Sequence, residues 1–156
     1  MPEVIVAEIK PQLVLGIRKA GAYLMIPELI GKLCAHAAAK NIAMTGAPVF
    51  VCHEASAAAA AEAQKNASAD VEVAIPINTK TEDIDDIKCY EIPGGKVAKI
   101  IHRGPYDQCG TAYGQIFAWI AQNGITVTGP IREVYLNDPK TVAPEEILTE
   151  IVAPIS

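Results

Sequence analysis

Apolar residues in this chain come in short runs that return in a fixed order. LVLGIRK (13–19), PVFVCH (48–53) and VEVAI (71–75) are followed by KVAKIIH (96–102), IREVYLN (131–137) and LTEIVA (148–153). Runs of this length, rich in β-branched residues and bounded by Gly, Pro, Asn or Asp, predict strands, although strict polar–apolar alternation is weak. Between the first and second run of each set, apolar residues recur at helical spacing. In the first set these are Ile26, Ile30, Leu33 and Ala37, with Pro27 tolerable in the opening turn. In the second they are Cys109, Tyr113, Ile116 and Ile120, and Asn123-Gly124 predicts the stop.

The recurrence is a duplication. Gly21, Tyr23 and Gly46 stand 83 residues before Gly104, Tyr106 and Gly129, and EVAIPI (72–77) returns as EIVAPI (150–155) after 78. The expected fold is α+β: tandem strand–helix–strand–strand modules forming one antiparallel sheet, with two helices on one face and a groove between them. One domain is expected over residues 1–156, with a first repeat at 1–77, an acidic linker at 78–88 and a second repeat at 89–156. The alanine-rich stretch 55–69 predicts an exposed loop with a helical tendency.

Composition narrows the function classes. At 51% hydrophobic residues the chain can fill a core, and its net charge of −5 argues against direct nucleic-acid binding. No apolar run approaches a membrane span, and no signal peptide is visible, so a cytoplasmic location is expected. Four spaced cysteines predict buried, reduced thiols. Neither a cofactor motif nor metal-ligand spacing is present, and His36, His53 and His102 read as incidental.

Each repeat places one acid, Glu72 or Glu150, inside an apolar strand, where an unpaired carboxylate is costly. Six of the eight aromatic residues lie beyond residue 88. On a helical wheel Tyr106, Tyr113 and Phe117 fall within about 40° of one another, the pattern of a core stripe, while Trp119 lies on a flank. Tyr135 shares a strand face with Ile131 and Glu133. An acid with aromatic walls favours flat cationic ligands. Glu150 is therefore expected to be the working, buried copy, and Glu72 to be solvated or salt-bridged and dispensable for ligand binding.

HRGPY (102–106), FAWIAQNG (117–124), GPIREVYLNDP (129–139) and LTEIVAPI (148–155) resemble the GyrI-like small-molecule-binding domain. That is also the effector-binding domain of AraC- and MerR-type multidrug regulators. The resemblance covers nearly the whole chain. It implies a ligand pocket with Glu150 as the acid, with Trp119 and Tyr135, and less directly Phe117 and Tyr106, as lining. The implied ligands are amphipathic or cationic aromatic small molecules. With no residues left over for a helix-turn-helix, a stand-alone member is expected, and any protein partner is unspecified. Stand-alone relatives imply two alternatives. One is a hydrolase opening cyclopropane rings of DNA-alkylating compounds, with Glu150 as catalytic base assisted by Tyr135 or Trp119. The other is an inhibitor of DNA gyrase.

Overall fold

The structure, a computed structural model, describes residues 3–54 and 57–156. It divides into two compact units: Pro11–Pro93, here the first unit, and Gly94–Ser156 together with the segment up to Lys10, here the second. Each is a four-stranded antiparallel sheet with a long helix on one face, so the α+β antiparallel class read from the sequence is what forms.

In the first unit the strands are β2 (Gln12–Gly21), β3 (Val49–Cys52), β4 (Ala69–Pro76) and β5 (Lys88–Ile92), in the order β3-β4-β2-β5. Helix α1 (Ile26–Ala39) packs on β4 through Leu29, Leu33 and Ala37. The buried stripe is thus turned slightly from the expected one, since Ile26 and Ile30 are only half-buried. In the second unit β1 (Ile5–Ile9), β6 (Gly95–Arg103), β7 (Ile131–Tyr135) and β8 (Leu148–Pro154) run in the order β1-β6-β8-β7. Helix α3 (Gly110–Gln122) presents Ala112, Ile116 and Ile120 to Ala98, Ile100, Ile151, Ala153 and Ile155.

The duplication extends to backbone detail. Gly124 takes the left-handed conformation that ends α3, and Asn41, its counterpart 83 residues earlier, does the same after α1. Ile125 N–H then reaches back to Ile120 O, as Ile42 N–H does to Ala37 O. Matching bonds run from Thr45 N–H to Pro76 O and from Thr128 N–H to Pro154 O.

Three elements differ from the sequence expectation. Residues 57–65 of the alanine-rich stretch form a helix, α2 (Ala57–Lys65), because alanine has the highest helix propensity of any residue. Residues 55 and 56 lie outside those described. The outer strands are exchanged relative to the repeats at 1–77 and 89–156: β1 pairs with β6 (Ile5 opposite Lys99), whereas β5 pairs with β2 (Tyr90 opposite Val14). Segment 78–88 is fastened to the first unit. Asp86 bonds Lys32 (2.9 Å) and Lys19 (3.0 Å), and Asp83 Oδ1 accepts Cys89 N–H at 2.7 Å.

The two lysines hold the Asp86 carboxyl down at about 2. A depressed folded-state value means that the contribution is complete above the ordinary carboxylate range and lost as pH falls toward 2. Asp86→Asn is expected to flatten that part of the acid-unfolding profile, an effect checked by thermal melts across acidic pH and weakened by salt.

No disulfide joins the four cysteines; only Cys109 is buried, and the other three are half-buried. No described helix is long and apolar enough to cross a membrane.

Candidate functional site

Cross-strand partners in an antiparallel sheet share a face. In the second unit Ile151 and Ala153 face α3, so Glu133 and Tyr135, opposite Ile151 and Thr149, lie on the helix side. Here the chain gathers its aromatics. Glu133 accepts hydrogen bonds from the Tyr113 hydroxyl and, at 3.1 Å, from the Tyr135 hydroxyl. The Tyr106 ring meets Tyr135 edge-on with centroids 5.4 Å apart, and Phe117 stacks beside Tyr113 at 6.4 Å. Tyr106 is 40% exposed and Phe117 43%, so the carboxylate is held by two inner phenols, each of which carries an outer ring that solvent reaches.

Four sequence-predicted residues and Glu133 can be placed directly against this geometry. Tyr106, Phe117 and Tyr135 come together, around Glu133. Trp119 does not join them. At 100° per residue it lies about 160° round α3 from Phe117, where it packs against the helix–sheet core.

Glu150 lies on the other face of the sheet, with Ile101 and Val134 as its cross-strand neighbours. Its side chain is 20% exposed, and its partner among the described residues is Lys99, 3.8 Å away. Neither cross-strand neighbour is aromatic.

The expected contrast between the strand acids is reversed. Glu72 is the more buried, at 8% exposure, and its two oxygens bond His53 Nε2 (2.6 Å) and the Tyr90 hydroxyl (2.6 Å). Of the two expectations for Glu72, solvated or salt-bridged, the second is met through His53, which is therefore not incidental; it is the burial that runs opposite to the expectation. Sheet register shows why the two copies differ. Gly16 pairs with Ala74 and Lys99 with Val152, so the two occupy the same place in their units. A Cβ at Gly16 would overlap the Tyr90 hydroxyl and ring. Bare backbone there lets the tyrosine lie across β2 to Glu72, whereas in the second unit Lys99 fills that space and points its own ammonium at Glu150. The outer strand carries Ala7 where its twin carries Tyr90.

Burial, reinforced by Glu72, pushes the Tyr90 phenol far above its ordinary value, and burial with Glu133 does the same for Tyr135. Both stay protonated and act as donors. A phenol whose folded value is raised keeps its proton while the unfolded chain loses it near pH 10, so stability falls as pH rises beyond that. In an alkaline titration followed by phenolate absorbance, Tyr90 and Tyr135 are expected to ionise only on unfolding. Tyr90→Phe should reduce the unfolding-linked absorbance step.

Among the described residues no group of three or more His, Cys, Asp or Glu side chains is placed to hold a metal ion. The sequence signal for the Glu133 site was its alternation with Tyr135; what it did not show was that Tyr113, read as core, reaches over to the same carboxylate.

The sequence pattern of the GyrI-like small molecule binding domain matches residues 2–156. The chain belongs to this family. Among solved structures, the GyrI-like chain superposes on EcmrR in its DNA complex with a TM-score of 0.86 at 22% identity. The match covers 99% of this chain but only 57% of EcmrR. The isolated EcmrR C-terminal domain gives 0.83 at 21% identity, over 100% and 98% of the two chains. A Listeria innocua protein described as a hydrolase, encoded by lin2189, gives 0.72 at 14%, over 99% and 92%. SAV2435 bound to tetraphenylphosphonium gives 0.64 at 12%, over 99% and 94%. These likenesses are of fold. No match is found among curated protein sequences.

Proposed function

We propose that this GyrI-like domain binds lipophilic aromatic cations, and that the site is the aromatic cluster around Glu133. The observation that carries the reading is a carboxylate enclosed by Tyr106, Tyr113, Phe117 and Tyr135, with two of those rings about 40% exposed. Ring faces and a carboxylate both attract a cation, and the rings add apolar area for its hydrophobic body. A structural neighbour bound to tetraphenylphosphonium supports the ligand class. Glu150, the acid implied by the sequence resemblance, remains the rival carboxylate on the opposite face of the same sheet.

Calorimetric titration with tetraphenylphosphonium and its anionic counterpart tetraphenylborate tests this. The wild type is expected to prefer the cation. Glu133→Gln should weaken cation binding by about 1–4 kcal/mol, the Coulomb scale for unit charges about 4 Å apart between bulk water and a protein surface, and leave the anion unaffected or improved. Glu150→Gln should change little. Loss of the preference in Glu150→Gln alone would move the site to the other face, and no preference in the wild type would end the cation reading.

A second reading uses the same group. Glu133 would take a proton from a water adding to a strained electrophilic carbon, and the Tyr113 or Tyr135 phenol would return one to the opened ring. The double phenol–carboxylate contact supports it, as does the neighbour described as a hydrolase. Mass spectrometry of a cyclopropane-bearing alkylator incubated with sub-stoichiometric protein decides: hydrated product in excess of protein marks turnover, and a stoichiometric complex marks binding alone.

A further inference from the structure

Thr149 is fully buried in β8, and its hydroxyl has no hydrogen-bond partner among the described residues. A buried hydroxyl left unpaired costs about 1–3 kcal/mol, and such a group in a folded protein calls for an explanation. Three observations locate the explanation. Thr149 pairs across the sheet with Tyr135 on one side and His102 on the other, so it lies on the helix face, in the floor beside the Glu133 cluster. His102 does not serve it, because its Nε2 is engaged by Pro105 O at 3.0 Å. Nor does the Tyr135 hydroxyl, which is given to Glu133.

The duplicated unit supplies a control. Thr149 faces His102 and Tyr135 as Val71 faces Lys19 and Cys52, so the first unit places valine where the second places threonine. The two side chains have nearly the same shape. The fold therefore accepts an apolar side chain at this point, and the hydroxyl is an addition confined to the copy with the aromatic acid. Beside Thr149, Tyr135 is touched edge-on by Tyr106, which stands in a three-residue turn ahead of α3 and is 40% exposed.

We infer that Thr149 is a specificity-determining residue of the Glu133 site, its hydroxyl pairing with a hydrogen-bonding group carried by the ligand. The inference rests on the proposed cation-binding reading and sharpens it. The ligands favoured are aromatic cations with a hydroxyl, carbonyl or amine on one ring, over purely hydrocarbon cations of the same size.

The test uses matched probes: tetraphenylphosphonium and its ortho, meta and para monohydroxy derivatives, three isomers of one another, titrated calorimetrically against the full chain. In the wild type at least one isomer is expected to bind about 3- to 10-fold more tightly than the parent, the worth of one neutral hydrogen bond. Thr149→Val should abolish that gain while keeping the parent's affinity and the melting temperature at or above wild type. Thr149→Ser, which keeps the hydroxyl, should retain the gain. If no isomer outbinds the parent in the wild type, or if Thr149→Val preserves the ratio, the inference is overturned although cation binding stands. If tetraphenylphosphonium and all three isomers fail to bind the wild type, the underlying reading falls and takes this inference with it.

Discussion

Glu72→Ala is expected to destabilise the protein by about 2–4 kcal/mol, because two donors lose their acceptor at once in a mostly buried place. The Tyr90 hydroxyl and His53 Nε2 each sit 2.6 Å from a different Glu72 oxygen. Neither has water readily at hand, since the Glu72 and His53 side chains are only 11% and 19% exposed. Glu72→Gln keeps one oxygen acceptor and the shape, so its loss should be the smaller. The comparison is made by urea unfolding of the three proteins at neutral pH, read as midpoint shifts at constant slope. Equal stability of Glu72→Ala and wild type would mean that the cluster is not a structural anchor. Tetraphenylphosphonium affinity, measured on the folded fraction, is expected to be unchanged in both variants.

Leu33→Ala should cost about 2–5 kcal/mol. Leu33 has no exposed surface and stands between Leu29 and Ala37 in the stripe that α1 lays on β4. Both flanking helix turns are pinned, by Pro27 at the start and by the Asn41 left-handed stop at the end, so the helix has little freedom to sink into the space left. The expected value therefore lies toward the upper half of the range for such truncations. A result below about 1 kcal/mol would show that the site collapses freely, against the close packing assumed for protein interiors. Differential scanning calorimetry, with the same variant made at the half-buried Ile30 as control, reads the effect.

The six inner strands were legible in the sequence as short apolar, β-branched runs, and both long helices as apolar residues at helical spacing. The outer strands were not. IVAEI at 5–9 and KCYEI at 88–92 are half-exposed edges, and their mixed composition carries little pattern. Missing β5 had a further effect, since it is the strand that carries Tyr90. Without it Glu72 read as an acid lacking aromatic company, and the contrast with Glu150 came out reversed. Gly16 also reads as a mere interruption of a strand until the tyrosine that lies over it is known. In the second repeat the alternation in REVY correctly put Glu133 and Tyr135 on one face. Glu150 and Glu72 share the same apolar setting, and an apolar strand neighbourhood describes both faces of a sheet without telling which one the aromatics occupy.

The exchange of outer strands has a consequence for the order of assembly. The segment Pro11–Pro93 is continuous and holds all four strands of its sheet, so it can close as soon as it leaves the ribosome. Strand β1 emerges earlier still, yet Ile5 waits for Lys99, and through that wait its apolar edge has no partner. Pairing between residues so far apart in sequence is slow and leaves strand edges open to other chains. Ile5 and Val6 remain 54% and 43% exposed even in the finished fold. Of the strands described, β1 is separated from its partner by the longest stretch of chain, so its edge stays open longest, and nascent chains crowded on one message are most vulnerable to mispairing there.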